Sequence, residues 1–189
     1  MGTLEQEKDI ERILFTQAEI RTGVDRIGGE VGVYFRDDAC PVVSVLKGGC
    51  IFRADLIRRL SFPLSLTFAA VSSYRDGTAA GTLSLEYFPA EQEIQGRSIL
   101  LVDDILDTGR TLEFLRAALF EHGASEVKTC VLLDKPAQRV VNSEADFRGF
   151  VIEDVFVVGY GLDFAGRYRN LPYLATLRPE VYAQATHTE

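Results

Sequence analysis

The chain has 189 residues, 47% of them apolar and 25% charged, and carries a net charge of −8. This length suits one well-buried domain and is short for two. The acidic balance disfavours general nucleic-acid binding, which needs clustered lysine and arginine, and leaves local anion binding through backbone amides open.

Cys40, Cys50 and Cys130 are odd in number, far apart and set among small or apolar residues, the pattern of reduced structural thiols; no CxxC pair points to zinc. The N-terminal segment is charged and lacks a signal-type apolar core, and no apolar run is long enough to cross a bilayer. These features predict a cytoplasmic protein that does not associate with membranes.

In chain order, Ile10–Phe15 is a short apolar patch. Thr16 then caps a helix, with Glu19 completing a capping box. Ile20, Val24, Ile27, Val31 and Phe35 form its buried stripe, although four glycines lower its intrinsic propensity. A compact strand follows at Pro41–Leu46, then Lys47-Gly48-Gly49 and a helix from about Cys50 to Leu60. Leu64, Leu66 and Phe68 alternate as a second strand. The turn-forming stretch 72–81 reads as a functional loop, and Leu83, Leu85 and Tyr87 return from it as a further strand. Pro89–Arg97 reads as a polar turn. The strand beginning at Ser98 and a helix from about Arg110 to His122, ended by Gly123, come next. Val127–Leu133 is another strand, stopped by Asp134-Lys135-Pro136. A polar connection then leads to a last strand, Val155–Val158, and a loose end from Thr176. Alternating strands and helices predict an α/β fold with a mostly parallel central sheet flanked by helices.

The chain is organised around Ser98–Thr111. Four apolar residues bring Asp103 and Asp104 to the carboxyl edge of a central strand, where paired carboxylates can accept hydrogen bonds from vicinal sugar hydroxyls or hold a hydrated Mg²⁺. A solvated acidic turn capping the next helix is the plainer alternative. Thr108, Gly109, Arg110 and Thr111 shift the balance. Their amides open a helix N-terminus, and the threonine hydroxyls complete an anion nest suited to a phosphate monoester. Neither a GxxxxGK[ST] loop nor a strand-to-helix GxGxxG is present.

Val102-Asp103-Asp104-Ile105-Leu106-Asp107-Thr108-Gly109-Arg110-Thr111 resembles the ribose-phosphate motif of the type I phosphoribosyltransferases. Four further stretches narrow the resemblance to the hypoxanthine-guanine branch: Leu46-Lys47-Gly48-Gly49, Ser73-Tyr74, Leu133-Asp134-Lys135-Pro136, and Phe156–Phe164 continuing to Arg169. The resemblance covers about residues 10 to 175 in consistent order. It implies a single domain over 1–189, with a small hood from the N-terminal segment and about 137–189, and a flexible active-site loop. The expected reaction is Mg²⁺-dependent transfer of 5-phosphoribosyl from phosphoribosyl pyrophosphate to N9 of a 6-oxopurine, hypoxanthine or guanine, in purine salvage.

By the same resemblance, Asp103 and Asp104 hold the ribose hydroxyls and a metal, and Asp107 to Thr111 wrap the 5′-phosphate. Asp107 also acts at purine N7 as general base. Lys47, Gly48 and Arg169 hold pyrophosphate, and Asp163 binds a second Mg²⁺. Lys135 donates to the 6-oxo group, Phe156 stacks on the purine, and the Val157 backbone meets its edge. Ser73 and Tyr74 close as a lid. Family members are commonly dimers or tetramers. Two alternatives remain: a xanthine-preferring enzyme, and a same-fold RNA-binding regulator of pyrimidine genes. The regulator is disfavoured by the acidic charge and by the carboxylate at position 107.

Overall fold

The computed structural model describes residues 5–36, 39–74 and 82–185. Strand β1 (Ile10–Phe15) leads to helix α1 (Gln17–Tyr34), whose start is fixed as the sequence predicts. The Glu19 amide donates to Thr16 Oγ1 at 3.3 Å, and the Thr16 amide donates to the Glu19 carboxylate at 2.8 Å. The Thr16 contacts hold that exposed carboxyl below its usual range, against a small opposing effect of burial. Packing explains two of the four glycines of α1: a methyl on Gly23 would lie 2.5 Å from the Phe150 ring, and one on Gly28 would meet Arg59, whereas Gly29 and Gly32 face open space.

The main sheet has six strands in the order β4-β3-β2-β5-β6-β7. These are β2 (Cys40–Val45), β3 (Leu64–Tyr74), β4 (Thr82–Tyr87), β5 (Ser98–Leu106), β6 (Glu126–Asp134) and β7 (Phe147–Val151). All neighbours run parallel except the β3–β4 pair. Helix α2 (Gly49–Leu56) covers one face together with α1, and α4 (Arg110–Glu121) covers the other. Strand β5 is central, and its run Ile99–Val102 is fully buried because both faces are packed. Even-numbered residues Leu100 and Val102 enter the α1–α2 core, and odd-numbered Ile99 and Leu101 enter the α4 core.

A second, three-stranded antiparallel sheet has the order β1-β9-β8, with β8 at Val157–Val158 and β9 at Leu174–Leu177. Val158 and Leu177 share a small core there with Tyr168 and Leu171.

Several expectations change. Pro89–Arg97 is not only a polar turn, since it includes a short helix α3 (Glu91–Ile94) that buries Ile94 completely. Phe147–Val151, given no element of its own and counted within the hood expected over about 137–189, joins the main sheet as its edge strand. Val157–Val158 pairs with β9 and not with the main sheet. Of the end expected to be loose from Thr176, Thr176 and Leu177 belong to β9, which pairs with Ile10–Phe15, and Pro179–Ala185 forms helix α5. Among the described residues no helix is long and apolar enough to cross a membrane, and the three cysteines form no disulfide.

Candidate active site

Strand β5 does not stop at its carboxylates. It runs to Leu106, with Ile105 opposite Leu133 and Leu106 opposite Asp134. Pleating therefore sends Asp103 and Asp104 to opposite sides of the sheet end. The Asp104 amide donates to Asp103 Oδ1 at 2.9 Å, and the Ile105 amide donates to Asp104 Oδ1 at 2.9 Å. Both carboxylates are buried. Burial and the neighbouring charge of Asp104 push the Asp103 carboxyl well above the ordinary range. Burial also raises Asp104, while Asp103, the Ile105 amide and Arg169 oppose the rise.

Beyond Leu106, Gly109 adopts φ +83°, a left-handed conformation that glycine tolerates, and turns the chain into α4. Asp103 to Gly109, Thr111 and Leu112 line a cavity of about 230 Å³ at this helix start. Arg110 is the first residue of α4; its side chain is exposed and does not line this cavity.

A second cavity of about 340 Å³ shares Asp104, Ile105 and Asp107 with the first and collects the remaining candidates. Lys47, Gly48, Lys135, Phe156, Val157, Asp163 and Arg169 all line it. The Leu46–Lys47 peptide is cis. The loop behind it is pressed against β5: a methyl on Gly48 would lie 1.6 Å from Asp104 Oδ2. Gly161, at φ +105°, lies against the Gly48 carbonyl in turn, leaving a methyl only 2.4 Å of clearance. Arg169 Nη1 donates to the Gly161 carbonyl at 2.6 Å, and its Nη2 pairs with Asp163 Oδ1 at 2.5 Å.

On the opposite wall, Lys135 is nearly buried after β6, with Nζ 2.8 Å from Asp154 Oδ1 and 4.0 Å from Asp107 Oδ1. Asp107 Oδ1 is itself shielded from solvent and accepts no hydrogen bond. Phe156 is 47% exposed, so it is a cavity wall and not core. Its ring is held edge-on by Phe164 and Tyr182, at centroid distances of 5.6 and 5.8 Å. Val157 is buried on β8.

Among the described residues no three carboxylate, histidine or cysteine side chains converge as a ready metal cage. Asp103 and Asp104 still offer hard oxygen donors, which suit a Mg²⁺ that keeps water or substrate oxygens in its shell. Ser73 and Tyr74 end β3, with backbones opposite Leu83 and Thr82. The loop expected to follow them falls, at 75–81, outside the described residues, as do the two side chains.

Sequence reasoning passed over Asp154, Gln138, Val155 and Ile105 in this region. Asp154 lies just before the strand expected at Val155–Val158, in a stretch given no reading, and no local pattern marks it as the partner of Lys135. Ile105 was legible only as part of the quoted motif.

The Phosphoribosyl transferase domain family model matches residues 31–165. Hypoxanthine-guanine phosphoribosyltransferase of Bacillus subtilis is 41% identical, over 92% of this chain and 97% of that protein. The Streptococcus pneumoniae protein of the same name is also 41% identical, over 94% and 98%. The bifunctional protein TilS/HprT of Listeria monocytogenes is 40% identical over 97% of this chain, which spans only 28% of that longer protein. Among solved structures, a hypoxanthine phosphoribosyltransferase from Staphylococcus aureus superposes with a TM-score of 0.90 at 35% identity, over 96% of this chain and 99% of that one. The Trypanosoma cruzi hypoxanthine phosphoribosyltransferase complexed with the product IMP gives 0.89 at 35% identity over the whole of both chains.

Proposed function

The chain belongs to the phosphoribosyltransferase family, and from that premise we propose that it is a purine salvage enzyme. It transfers 5-phosphoribosyl from phosphoribosyl pyrophosphate to N9 of hypoxanthine or guanine and releases pyrophosphate. One observation carries this reading. Two cavities meet at Asp104, Ile105 and Asp107, one against a helix N-terminus and the other between a lysine and an aromatic ring. A phosphorylated ribose and a base joined at C1′ need this pair of adjoining sites.

The 5′-phosphate occupies the first cavity, met by the amides that follow Asp107 and by the Thr108 and Thr111 hydroxyls. The ribose hydroxyls face Asp103 and Asp104. Pyrophosphate leaves on the side of Lys47, Gly48 and Arg169, where positive charge and backbone donors offset the charge it gains as the C1′–O bond breaks. The purine enters the second cavity against Phe156, with its 6-oxo group toward the Lys135 ammonium, a donor that adenine cannot use. The Val157 backbone meets the base edge. Asp107 Oδ1, shielded from solvent and accepting no hydrogen bond, accepts the proton at N7 and so leaves N9 nucleophilic.

Bound Mg²⁺, held through Asp103 and Asp104 and at a second position through Asp163, supplies charge neutralisation for the phosphates. Ser73 and Tyr74 belong to the lid that excludes water. The enzyme works in the cytoplasm as a homo-oligomer, and a single domain over 1–189 carries the whole site. The small sheet β1-β9-β8 is its hood.

The test is a parallel assay of phosphoribosyl pyrophosphate and Mg²⁺ with hypoxanthine, guanine, xanthine, adenine and uracil. Hypoxanthine and guanine are expected to react and adenine and uracil to stay inert. Preference for xanthine would move the chain to the xanthine branch, and inertness toward every 6-oxopurine would overturn the reading.

A further inference from the structure

Lys135 does not stand free beside the base cavity. We propose that Asp154 is a positioning residue of the base site, which with Gln138 holds the Lys135 ammonium toward the 6-oxo group and off Asp107. The proposal rests on the reading of Lys135 as a base contact given above.

Two carboxylates lie within 4.0 Å of the Lys135 ammonium, a third belongs to its chain neighbour, and they are not equivalent. Asp134, its chain neighbour, is already occupied by Arg139 at 2.5 Å and Arg148 at 3.0 Å. Asp107 lies 4.0 Å from Nζ, beyond hydrogen-bond reach. Asp154 lies at 2.8 Å. The second oxygen of Asp154 accepts from Gln138 Nε2, so both of its oxygens are engaged and the carboxylate is fixed from two sides. Lys135 and Gln138 pull the exposed Asp154 carboxyl below its ordinary range. Gln138 belongs to the turn after β6, and Asp154 lies two residues before Phe156, so the pair ties one wall of the base cavity to the other.

The placement has a chemical consequence. An ammonium has three donors but one position, and two carboxylates compete for it. With Asp154 neutralised, Asp107 is the nearest carboxylate left without an arginine. A contact pair there would tie up the buried oxygen that the proton transfer needs and withdraw the donor from the purine. Asp154 need not touch substrate to matter; it does not line either cavity.

The experiment is steady-state kinetics of the full chain and its Asp154→Asn, Asp154→Glu and Lys135→Ala variants, with unfolding midpoints measured alongside. Asparagine retains an oxygen for Gln138 and removes the charge. Asp154→Asn is expected to raise KM for hypoxanthine roughly tenfold, the size of one lost charge-assisted hydrogen bond. It is also expected to lower kcat, with KM for phosphoribosyl pyrophosphate and the unfolding midpoint unchanged. Asp154→Glu should recover most of the loss. In a Lys135→Ala background, Asp154→Asn should add nothing to the base KM, since the two act as one unit.

Wild-type kinetics in Asp154→Asn, with base binding weakened in Lys135→Ala, would overturn the positioning role and leave the lysine assignment intact. A parallel rise in both KM values with a lowered midpoint would also overturn it, marking a merely structural pair. Unchanged base kinetics in Lys135→Ala would remove the base-site reading and this inference with it.

Discussion

Alanine at position 48 sets two effects against each other, and the structure decides between them. Gly48 has φ −61° and ψ −46°, helical values at which any residue is comfortable. Alanine is favoured over glycine by about 0.5–1 kcal/mol in such a conformation, so the local chain alone predicts a gain. The added methyl, however, would sit 1.6 Å from Asp104 Oδ2 and 2.6 Å from its Cγ, where relaxed contacts need about 3.5 Å. Asp104 is 9% exposed, and its Oδ1 is held by the Ile105 amide. Swinging the carboxylate aside breaks a charge-assisted bond and costs about 1.5–3 kcal/mol. Lifting the loop instead drives the Gly48 carbonyl against Gly161.

The net expectation is a loss of about 1–2 kcal/mol, a fall of roughly 2–8 °C in unfolding midpoint. Function should suffer more, because a displacement of ~1 Å at a site built on position costs on the order of 10²-fold in rate. Initial rates with phosphoribosyl pyrophosphate varied at saturating hypoxanthine should show kcat/KM down by about that factor. Calorimetry reports the midpoint. Wild-type kinetics together with a raised midpoint would refute the reasoning, since they would mean that the loop does not bear on Asp104.

Asp107→Asn keeps the side chain's size and removes its basicity. Turnover should fall by roughly 10²-fold or more while KM for phosphoribosyl pyrophosphate changes little; near-normal turnover would remove the general-base role. Chelation of Mg²⁺ should abolish activity and added Mg²⁺ restore it, and full activity in chelator would contradict metal sites at Asp103, Asp104 and Asp163. A pH effect on stability is expected at Asp146. Burial would raise its carboxyl, but the Thr129 amide, Lys128 and the Thr129 hydroxyl outweigh that and hold it below the ordinary range. A carboxyl depressed on folding stabilises the protein fully above its unfolded value of about 3.9, and the contribution fades as pH falls through the folded one. Denaturant unfolding at neutral pH and near pH 3 should therefore show Asp146→Asn losing less stability on acidification than the wild type. Equal losses would remove Asp146 from the acid response.

The site was legible to the extent that its chemistry is written in contiguous residues. Ser98–Val102 is apolar, the carboxylates follow at once, and Gly109 opens the next helix; each step is set by near neighbours. The capping box at Thr16 and Glu19 was readable for the same reason. Phe147–Val151 escaped notice because a short edge strand with a charged and a glycine residue carries weak periodicity, and its assignment depends on β6 lying beside it. The two-residue β8 is strand only because β9 pairs with it. The end from Thr176 looked loose because β9, the strand that takes in Thr176 and Leu177, has its partner β1 more than 150 residues earlier in the chain.

The sequence by itself determined the α/β alternation, the central apolar strand with its carboxylates, and the phosphate-binding turn. Those depend on side-chain period, burial and turn chemistry within one or two elements. Only the tertiary structure decided that Gly48 lies against Asp104, that Gly161 backs the same loop, and that Asp154 is the partner of Lys135. Each is a meeting of segments far apart in the chain, set by how the two sheets and their connections pack. No local preference encodes such a distance, because it exists only once the chain has closed on itself.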